Sequence, residues 1–380
     1  MNTELIRIGI VGLKPGESWA GVAHVPALRS MPDTFIIAGV ANSRLESSRA
    51  AAEALGIPHA FASADELIAS PEIDAVTVTI TVPQHLAVVK AALEADKHVY
   101  CEAPLGNGLA EAEEMAALAR GKNVVAVVGL QARVAPEMLY LRELLAEGFV
   151  GGVLSSSMTG WGGNWGPTAR NIKRLGYLLD VSNGATMLTI PVGHTLAALR
   201  DVLGDVTEVS ALLDTRMPEV HSEDDGSILT MTAPDQILLT ARLESGAPLS
   251  MHYQGGMPNG IEGFVWDIHG TEGDIRVTAP FGHSQMARLS LLGAKAGTGN
   301  LEPIEVPGRF SAGAPQDTVP GNVARNYMRM AQDIHTASRT ASSFEDAVGL
   351  QRLIDAIEKS DRSGSRVTLA PSNRTVPLPE

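Results

Sequence analysis

His194 and a polar loop upstream of it carry the residue types best suited to chemistry in this chain. His194 closes the stretch Asn183-Gly184-Ala185-Thr186-Met187-Leu188-Thr189-Ile190-Pro191-Val192-Gly193-His194-Thr195. A neutral imidazole, with an ordinary pKa of about 6.5, can accept a hydroxyl proton near neutrality. A lone histidine on an apolar stretch is, however, more often a satisfied core residue. Upstream lie Trp161-Gly162-Gly163-Asn164-Trp165-Gly166, then Arg170, Lys173, Tyr177 and Asp180. Indole faces pack well on the C–H face of a sugar, and Asn, Arg and Lys can read hydroxyls. Trp161, Asn164, Trp165, Arg170, Asp180 and His194 are therefore candidate substrate residues. The same segment also reads as a Gly-rich connection whose tryptophans anchor in the core.

A second candidate site lies at the N-terminal end. Gly9-Ile10-Val11-Gly12-Leu13-Lys14-Pro15-Gly16 does not fit G-x-G-x-x-G. Its glycines still let a backbone turn sharply and approach a pyrophosphate at a helix N-terminus. The turn is long and reaches its helix near Trp19, so Gly12, Leu13, Lys14, Trp19 and Ala20 are the candidate contacts. A generic strand–turn–helix would look similar. After the second strand comes Ala41-Asn42-Ser43-Arg44, with no acid until Glu46. A carboxylate ordinarily bonds the adenosine ribose there. Asn42 and Ser43 can donate hydrogen bonds, and Arg44 can stack on adenine or pair a 2′-phosphate. This leans to NADP over NAD, although a solvated turn with Ser as N-cap explains the same residues.

These sites need a scaffold, and the hydrophobic pattern supplies one. Strands are expected at 5–11, 35–41, 75–80, 97–101 and 124–129, with helices at 20–30, 44–55, 84–95 and 109–120. Asp65-Glu66-Leu67-Ile68 after Ser63 reads as a short capped helix. Short apolar runs alternating with helices predict βαβ units and a doubly wound parallel sheet, with ligands at the carboxyl ends of its strands. Later strands, at 153–160, 206–213, 236–243, 248–254, 263–269 and 274–278, follow without long helices between them. They predict an α+β domain with a large, mostly antiparallel open sheet. Two helices close the chain near 321–338 and 344–361. The expected division is 1–130 for dinucleotide binding and 131–380 for substrate binding and oligomerisation, with the closing helices packed back toward the first domain. The Gly-, Pro- and Ala-rich segment 294–320 reads as a long surface excursion.

Composition narrows the function classes. The 380 residues suit two domains, and 44% hydrophobic with 19% charged residues marks a globular chain. A net charge of −14 argues against general nucleic-acid binding. The chain enters a strand almost at once rather than a signal sequence, and no apolar run approaches the ~20 residues that span a bilayer. One cysteine permits no internal disulfide. The expected location is the cytoplasm. No metal site is expected: His221-Ser222-Glu223-Asp224-Asp225 reads as an acidic loop, and His252, His269 and His283 lack a ligand spacing. Too few helices follow residue 205 to cover both faces of the second sheet, so a homodimer or homotetramer is expected.

The stretch Asp74–Gly106, ending Cys101-Glu102-Ala103-Pro104-Leu105-Gly106, resembles the Gfo/Idh/MocA family of nicotinamide-dependent sugar oxidoreductases. His24-Val25-Pro26-Ala27-Leu28 is similar to the element that follows the glycine loop in that family, and His269-Gly270-Thr271-Glu272-Gly273 to its His-Gly-Thr-x-Gly turn. The resemblance implies NAD(P) as cofactor and a sugar, polyol or related carbohydrate as substrate. It places Thr81, Val82, Pro83 and His85 under the nicotinamide side, where Pro83 also simply opens the next helix. It places Glu102 near the active centre with a cis bond before Pro104, and His194 as acid/base residue. Two usual catalytic groups are missing. The family lysine is Ala103, and the family aspartate, four residues before the histidine, is Ile190. Lys173 or Tyr177 are the candidate replacements, by their closeness in sequence. The enlarged loop ending in Trp19-Ala20, then His24, resembles the branch of the yeast galactose-regulon repressor. That likeness implies an alternative to catalysis: a dinucleotide-binding regulator acting by protein contact.

Overall fold

The computed structural model describes residues 5–257 and 263–370. The chain forms two compact units. One comprises residues 1–131 and 313–348, the other 132–312 and 349–380.

In the first unit six parallel strands make one sheet: β1 (Ile6–Val11), β2 (Phe35–Ala41), β3 (His59–Phe61), β4 (Ala75–Val78), β5 (His98–Glu102) and β6 (Ala126–Gly129). Their order is β3-β2-β1-β4-β5-β6. Ile8, Ile10, Val40, Val76, Val78 and Val99 are fully buried, as expected of strands covered on both faces. The crossovers carry α1 (Val25–Arg29), entered through a π-helical turn at Ala20–His24, and α2 (Leu45–Leu55). Next come α3 (Ala64–Ala69), α4 (His85–Glu94) and α5 (Leu109–Arg120). Ser63 caps α3 by accepting from the Glu66 amide at 3.2 Å. The strand order reverses between β1 and β4, and that switch point opens a crevice at the strands' carboxyl ends. A late helix, Thr318–Thr336, belongs to this unit, and its Val323, Tyr327 and Met330 join the core around Ile8 and Ile10.

The second unit opens with α6 (Pro136–Ala146) and β7 (Val153–Gly162). Then follow β8 (Thr168–Ala169), α7 (Ile172–Leu175), α8 (Gly193–Leu203) and β9 (Val206–Asp214). Further strands are β10 (Glu219–Ser222), β11 (Ile228–Thr230), β12 (Gln236–Leu243) and β13 (Pro248–Gly255). The series ends with β14 (Phe264–Gly270), β15 (Gly273–Ala279), β16 (Ser290–Lys295), β17 (Glu302–Ile304) and β18 (Val367–Thr368). The helix of Thr318–Thr336 is α9, and α10 is Phe344–Ser363. Nine strands form the large sheet in the order β17-β16-β15-β14-β7-β13-β12-β9-β18. All its pairs are antiparallel except β13 with β7. Period-two alternation is plain in β12 and β13. Ile237, Leu239, Leu249, Met251 and Tyr253 are buried, while Leu238, Ser250 and His252 face the other way.

Several features depart from the sequence reading. β3 is only three residues long, too short for a periodic signal. The helix α6 begins at Pro136 and buries Met138, Leu141 and Leu144, three apart, where no helix was expected. A separate three-stranded sheet, β11-β10-β8, takes in the acidic loop region. The segment 294–320 is not all excursion, since Glu302–Ile304 pairs with β16 through its backbone.

Candidate functional site

In the first unit β1 delivers the chain to Gly12, whose φ of +96° suits glycine. A Cβ there would sit 3.0 Å from the Thr79 carbonyl oxygen, so only a bare backbone fits. The loop that follows is internally hydrogen-bonded. The Leu13 amide donates to Asn42 Oδ1 at 2.8 Å, and Asn42 Nδ2 donates back to the Leu13 carbonyl at 2.9 Å. The Ser18 hydroxyl accepts from the amides of Lys14 and Gly21 and donates to the Lys14 carbonyl. Ser18 is thus the effective cap of the turn that starts at Ala20. Lys14 pairs with Glu17 at 2.6 Å on the surface. The Trp19 indole is part-buried with an unpartnered Nε1. Asn42 therefore staples the loop to the end of β2. Ser43 and Arg44 are exposed just beyond it.

At the carboxyl ends of β4 and β5 two turns are joined by His85. Its buried ring places Nε2 3.1 Å from the Ile80 carbonyl and Nδ1 3.1 Å from that of Pro104. Burial pushes its pKa down, which the surrounding carbonyls partly offset. Thr81, Val82 and Pro83 lie on the first of these turns. The second begins with a cis Ala103–Pro104 bond. Glu102, just before it, has a side chain only 12% exposed. His24 Nε2 lies 2.9 Å from its Oε1, and Gln131 Nε2 reaches both carboxylate oxygens at 2.8 and 2.9 Å. Behind His24, Nδ1 meets the Tyr327 hydroxyl at 2.9 Å, which meets Thr77 Oγ1 at 2.8 Å. One proton arrangement satisfies the whole series: Thr77 donates to Tyr327, Tyr327 to His24, and His24 to Glu102. Gly129 leaves the room for it, because a Cβ there would fall 2.6 Å from Glu102 Oε1.

In the second unit His194 lies in the first turn of α8, after a π-helical turn at Leu188–Val192 that contains Pro191. The missing amide of Pro191 accounts for the irregular turn. Thr195 donates to the Pro191 carbonyl at 3.0 Å and meets the Tyr253 hydroxyl at 2.8 Å. His194 itself is 1% exposed and its Nδ1 has no partner. Burial first, and the nearby His283 second, push its pKa down to about 3. Ile190 is half-buried.

The other candidate residues divide by burial. Trp161 and Trp165 are core residues: Trp161 packs on Phe281 at 4.7 Å between ring centroids, and Trp165 Nε1 donates to the Leu178 carbonyl. Asn164, Arg170, Lys173 and Asp180 are exposed. Arg170 pairs with Glu223 at 2.5 Å, and Asp180 accepts from the Ser182 amide, which lowers its pKa. Tyr177 is half-buried, and burial raises its pKa. His24, Thr77, Gln131, Tyr327 and His283 were not singled out for a site by the sequence reading. His24 was quoted only as part of the family-like element after the glycine loop, and Gln131 lies two residues beyond β6.

Comparison with known proteins gives these arrangements a family. Residues 6–130 match the oxidoreductase family with an NAD-binding Rossmann fold. Residues 136–279 match the Gal80p C-terminal domain. The galactose/lactose metabolism regulatory protein GAL80 of Kluyveromyces lactis is 30% identical over 315 residues, covering 78% of this chain and 69% of that protein. The chain belongs to the Gfo/Idh/MocA oxidoreductase family. Within it, the chain stands in the branch resembling the yeast galactose regulator. Dehydrogenase aclE of Aspergillus oryzae is 29% identical over 371 residues, covering 94% of this chain and 97% of that one. The crystal structure of a Saccharomyces cerevisiae Gal80p super-repressor superposes with a TM-score of 0.87 at 26% identity, covering 96% and 98% of the two chains. This chain is thus similar in sequence to a named regulator and a named dehydrogenase alike.

The first unit has the Rossmann fold of an NAD-binding family. Gly12 offers bare backbone at the switch point, and the part-buried Trp19 indole has an unpartnered Nε1. The amides of Gly12, Leu13, Lys14, Glu17 and Ser18 are already bonded within the protein. Among the described residues no helix is long and apolar enough to cross a membrane.

Proposed function

We propose that this chain is an NAD(P)-dependent oxidoreductase acting on a hydroxyl-bearing carbon of a sugar, polyol or related carbohydrate in the cytoplasm. The observation that carries the reading is His194. It is a buried imidazole, neutral through the physiological range, with a ring nitrogen spent on nothing in the protein. A bound nicotinamide supplies the acceptor or donor of the hydride. His194 takes the hydroxyl proton in oxidation and returns it in reduction. A ring this hard to protonate is still a competent acceptor, because a hydroxyl becomes strongly acidic as hydride leaves its carbon. Glu102, held by His24 and Gln131, fixes the turn at Ala103–Pro104 rather than reaching for a proton. Lys173 and Tyr177 are the remaining candidates for the role of the absent family lysine, and Tyr177, the more buried of the two, is the better one.

Cofactor capture falls to the loop of Gly12, Leu13, Lys14, Trp19 and Ala20, with Gly12 giving room. Arg44, exposed at the end of β2 with no carboxylate beside it, supports a lean to NADP. The exposed Leu212 and Leu238, paired in register across β9 and β12, support a homodimer or homotetramer through the sheet's open face.

The loss of lysine at Ala103 and of aspartate at Ile190 favours a second reading, a dinucleotide-binding regulator acting by protein contact. A panel of sugars and polyols, monitored at the nicotinamide absorbance, separates the two. Turnover that His194→Ala abolishes supports the enzyme. Dinucleotide binding without turnover of any panel member, and with His194→Ala silent, supports the regulator.

A further inference from the structure

The segment between β15 and β16 brings a second imidazole to His194. The Gly282 carbonyl accepts from the Trp161 amide at 2.9 Å, and the Phe264 amide donates to the Phe281 carbonyl at 2.8 Å. These bonds clamp the segment to β7 and β14. Phe281 is wedged between the Trp161 ring and the His283 ring, the latter edge-on at 4.9 Å. Ser284, the next residue, is fully buried with its hydroxyl 3.4 Å from Thr195 Oγ1. Thr195 neighbours His194, so the two histidines stand on adjoining residues of two touching segments.

Both rings are buried, His194 at 1% exposure and His283 at 8%, and both carry an Nδ1 without a hydrogen-bond partner. Gln285, two residues on and equally buried, has an unpartnered Oε1. Buried polar atoms are nearly always satisfied, and two such orphans on touching segments point to a ligand or its water. We propose that His283 is a second ligand-facing imidazole beside His194, and that the pair takes the hydroxyl groups of an uncharged polyol in preference to a sugar acid. This rests on the oxidoreductase reading for its ligand class. A neutral imidazole offers one donor and one acceptor, and so does a hydroxyl, which makes them matched partners. Burial holds the pKa of His283 down to about 4, and that of His194 lower still. An anion against such rings would lose its hydration without gaining a counter-charge. Gln285 adds an acceptor on the same segment.

The test uses the full-length protein saturated with NADP and with NAD in separate arms. The probes are myo-inositol and D-glucose against D-gluconate, and the readout is the imidazole C–H resonances of both histidines. A neutral probe is expected to move both sets of signals, with gluconate moving neither. His283→Phe keeps the ring volume and its edge contact with Phe281. It is expected to weaken the responding polyol at least tenfold while dinucleotide affinity holds, and His283→Asn to recover part of the loss. Signals of His194 moving alone, or His283→Phe binding polyol like the wild type, overturn the proposal. So does a panel in which no neutral probe moves either ring, or one in which gluconate binds as well. If both rings respond but nothing is turned over, the enzyme reading falls and the polyol site stands. Turnover that is indifferent to His283→Phe does the reverse.

Discussion

Glu102 in the first unit and His194 in the second are both candidate site residues by the family resemblance, yet their surroundings are opposite in kind. Around Glu102 the protein has used its hydrogen bonds. Both carboxylate oxygens have donors, His24 is bonded at both nitrogens, and Tyr327 anchors the far side. Around His194 and His283 the nitrogens are left over. A satisfied buried network rigidifies a fold, and its members lose their freedom to do anything else. Unsatisfied buried groups cost stability and persist where something outside the chain completes them. The contrast separates a residue bonded into a buried network from one whose ring nitrogen is unspent, although the family resemblance makes both candidate site residues.

The largest effect expected from this contrast is on turnover. His194→Gln should lower kcat with the best polyol by ~100-fold or more, the usual loss for an acid/base group. Its thermal midpoint should stay close to that of the wild type, since no bond of the imidazole within the protein is removed. Steady-state kinetics beside a melting curve reads both quantities. A variant that melts early and retains its rate would assign His194 to the core.

Glu102→Leu should behave in the opposite sense. It strands the His24 and Gln131 donors in a buried site, at a cost of about 2–4 kcal/mol in stability. Denaturant unfolding measures this directly. Tyr327→Phe, which removes one bond from the far end of the series, should cost about 1 kcal/mol. An unfolding free energy unchanged in Glu102→Leu would mean that the network carries no structural weight.

Much of this organisation could be read from the amino-acid order. The βαβ alternation is visible because Ile, Val and Ala runs change period at turn residues, and it places β1, β2, β4, β5 and β6 almost to the residue. Gly12 stood out because a sharp turn after a strand favours glycine, and Pro104 because it matches the family's tetrapeptide. The network around Glu102 was not legible. Tyr327 is more than two hundred residues from its partners, and nothing local in Arg325-Asn326-Tyr327 says which strand it will reach. His283 was hidden for a related reason: it sits in an irregular segment, where neither strand nor helix period predicts a facing direction. Asn42 misled in another way. Its type suits a ribose contact, but its amide is spent on Leu13 and Ser47, a choice that depends on the loop's path. β17 and α6 were missed because a three-residue strand has no period and an isolated Pro start resembles a turn.

Acidification should expose the cost of the two unspent imidazoles. An ordinary histidine titrates near 6.5, whereas His194 and His283 are held near 3 and 4. Between about pH 6 and 4 the unfolded chain therefore binds more protons than the folded one. By linkage, stability falls as the pH drops through that window. Each ring contributes about 1.4 kcal/mol per pH unit once the unfolded histidine is fully protonated. His85 and His98 are also depressed by burial and add to the same slope. The double variant His194→Gln, His283→Asn removes two of these contributions. Urea unfolding at pH 5.5 and 4.5 should show it losing roughly 2–3 kcal/mol less than the wild type. Parallel losses would mean that the two rings protonate freely in the fold, and the neutral polyol site would lose its electrostatic basis.

The smallest expected effect concerns the first unit, where the candidate cofactor residues Ser43 and Arg44 are exposed rather than buried. Arg44 lies on the surface beyond β2, and a surface charge pair is worth about 1 kcal/mol. A 2′-phosphate carries more charge than a carboxylate and can be gripped by two guanidinium nitrogens, so the figure is a lower bound. Arg44→Asp should weaken NADP by about tenfold and leave NAD within about threefold, as titration calorimetry would record. The salt dependence sharpens the test. Raising ionic strength should erode the wild type's preference for NADP, because exposed charges are screened. It should do little to the imidazole-dependent polyol affinity, which involves neutral groups. Equal weakening of both dinucleotides by Arg44→Asp would remove Arg44 from the phosphate. The choice of cofactor would then rest on Ser43, which is exposed, and on Asn42, whose amide is bonded to the protein's own loop.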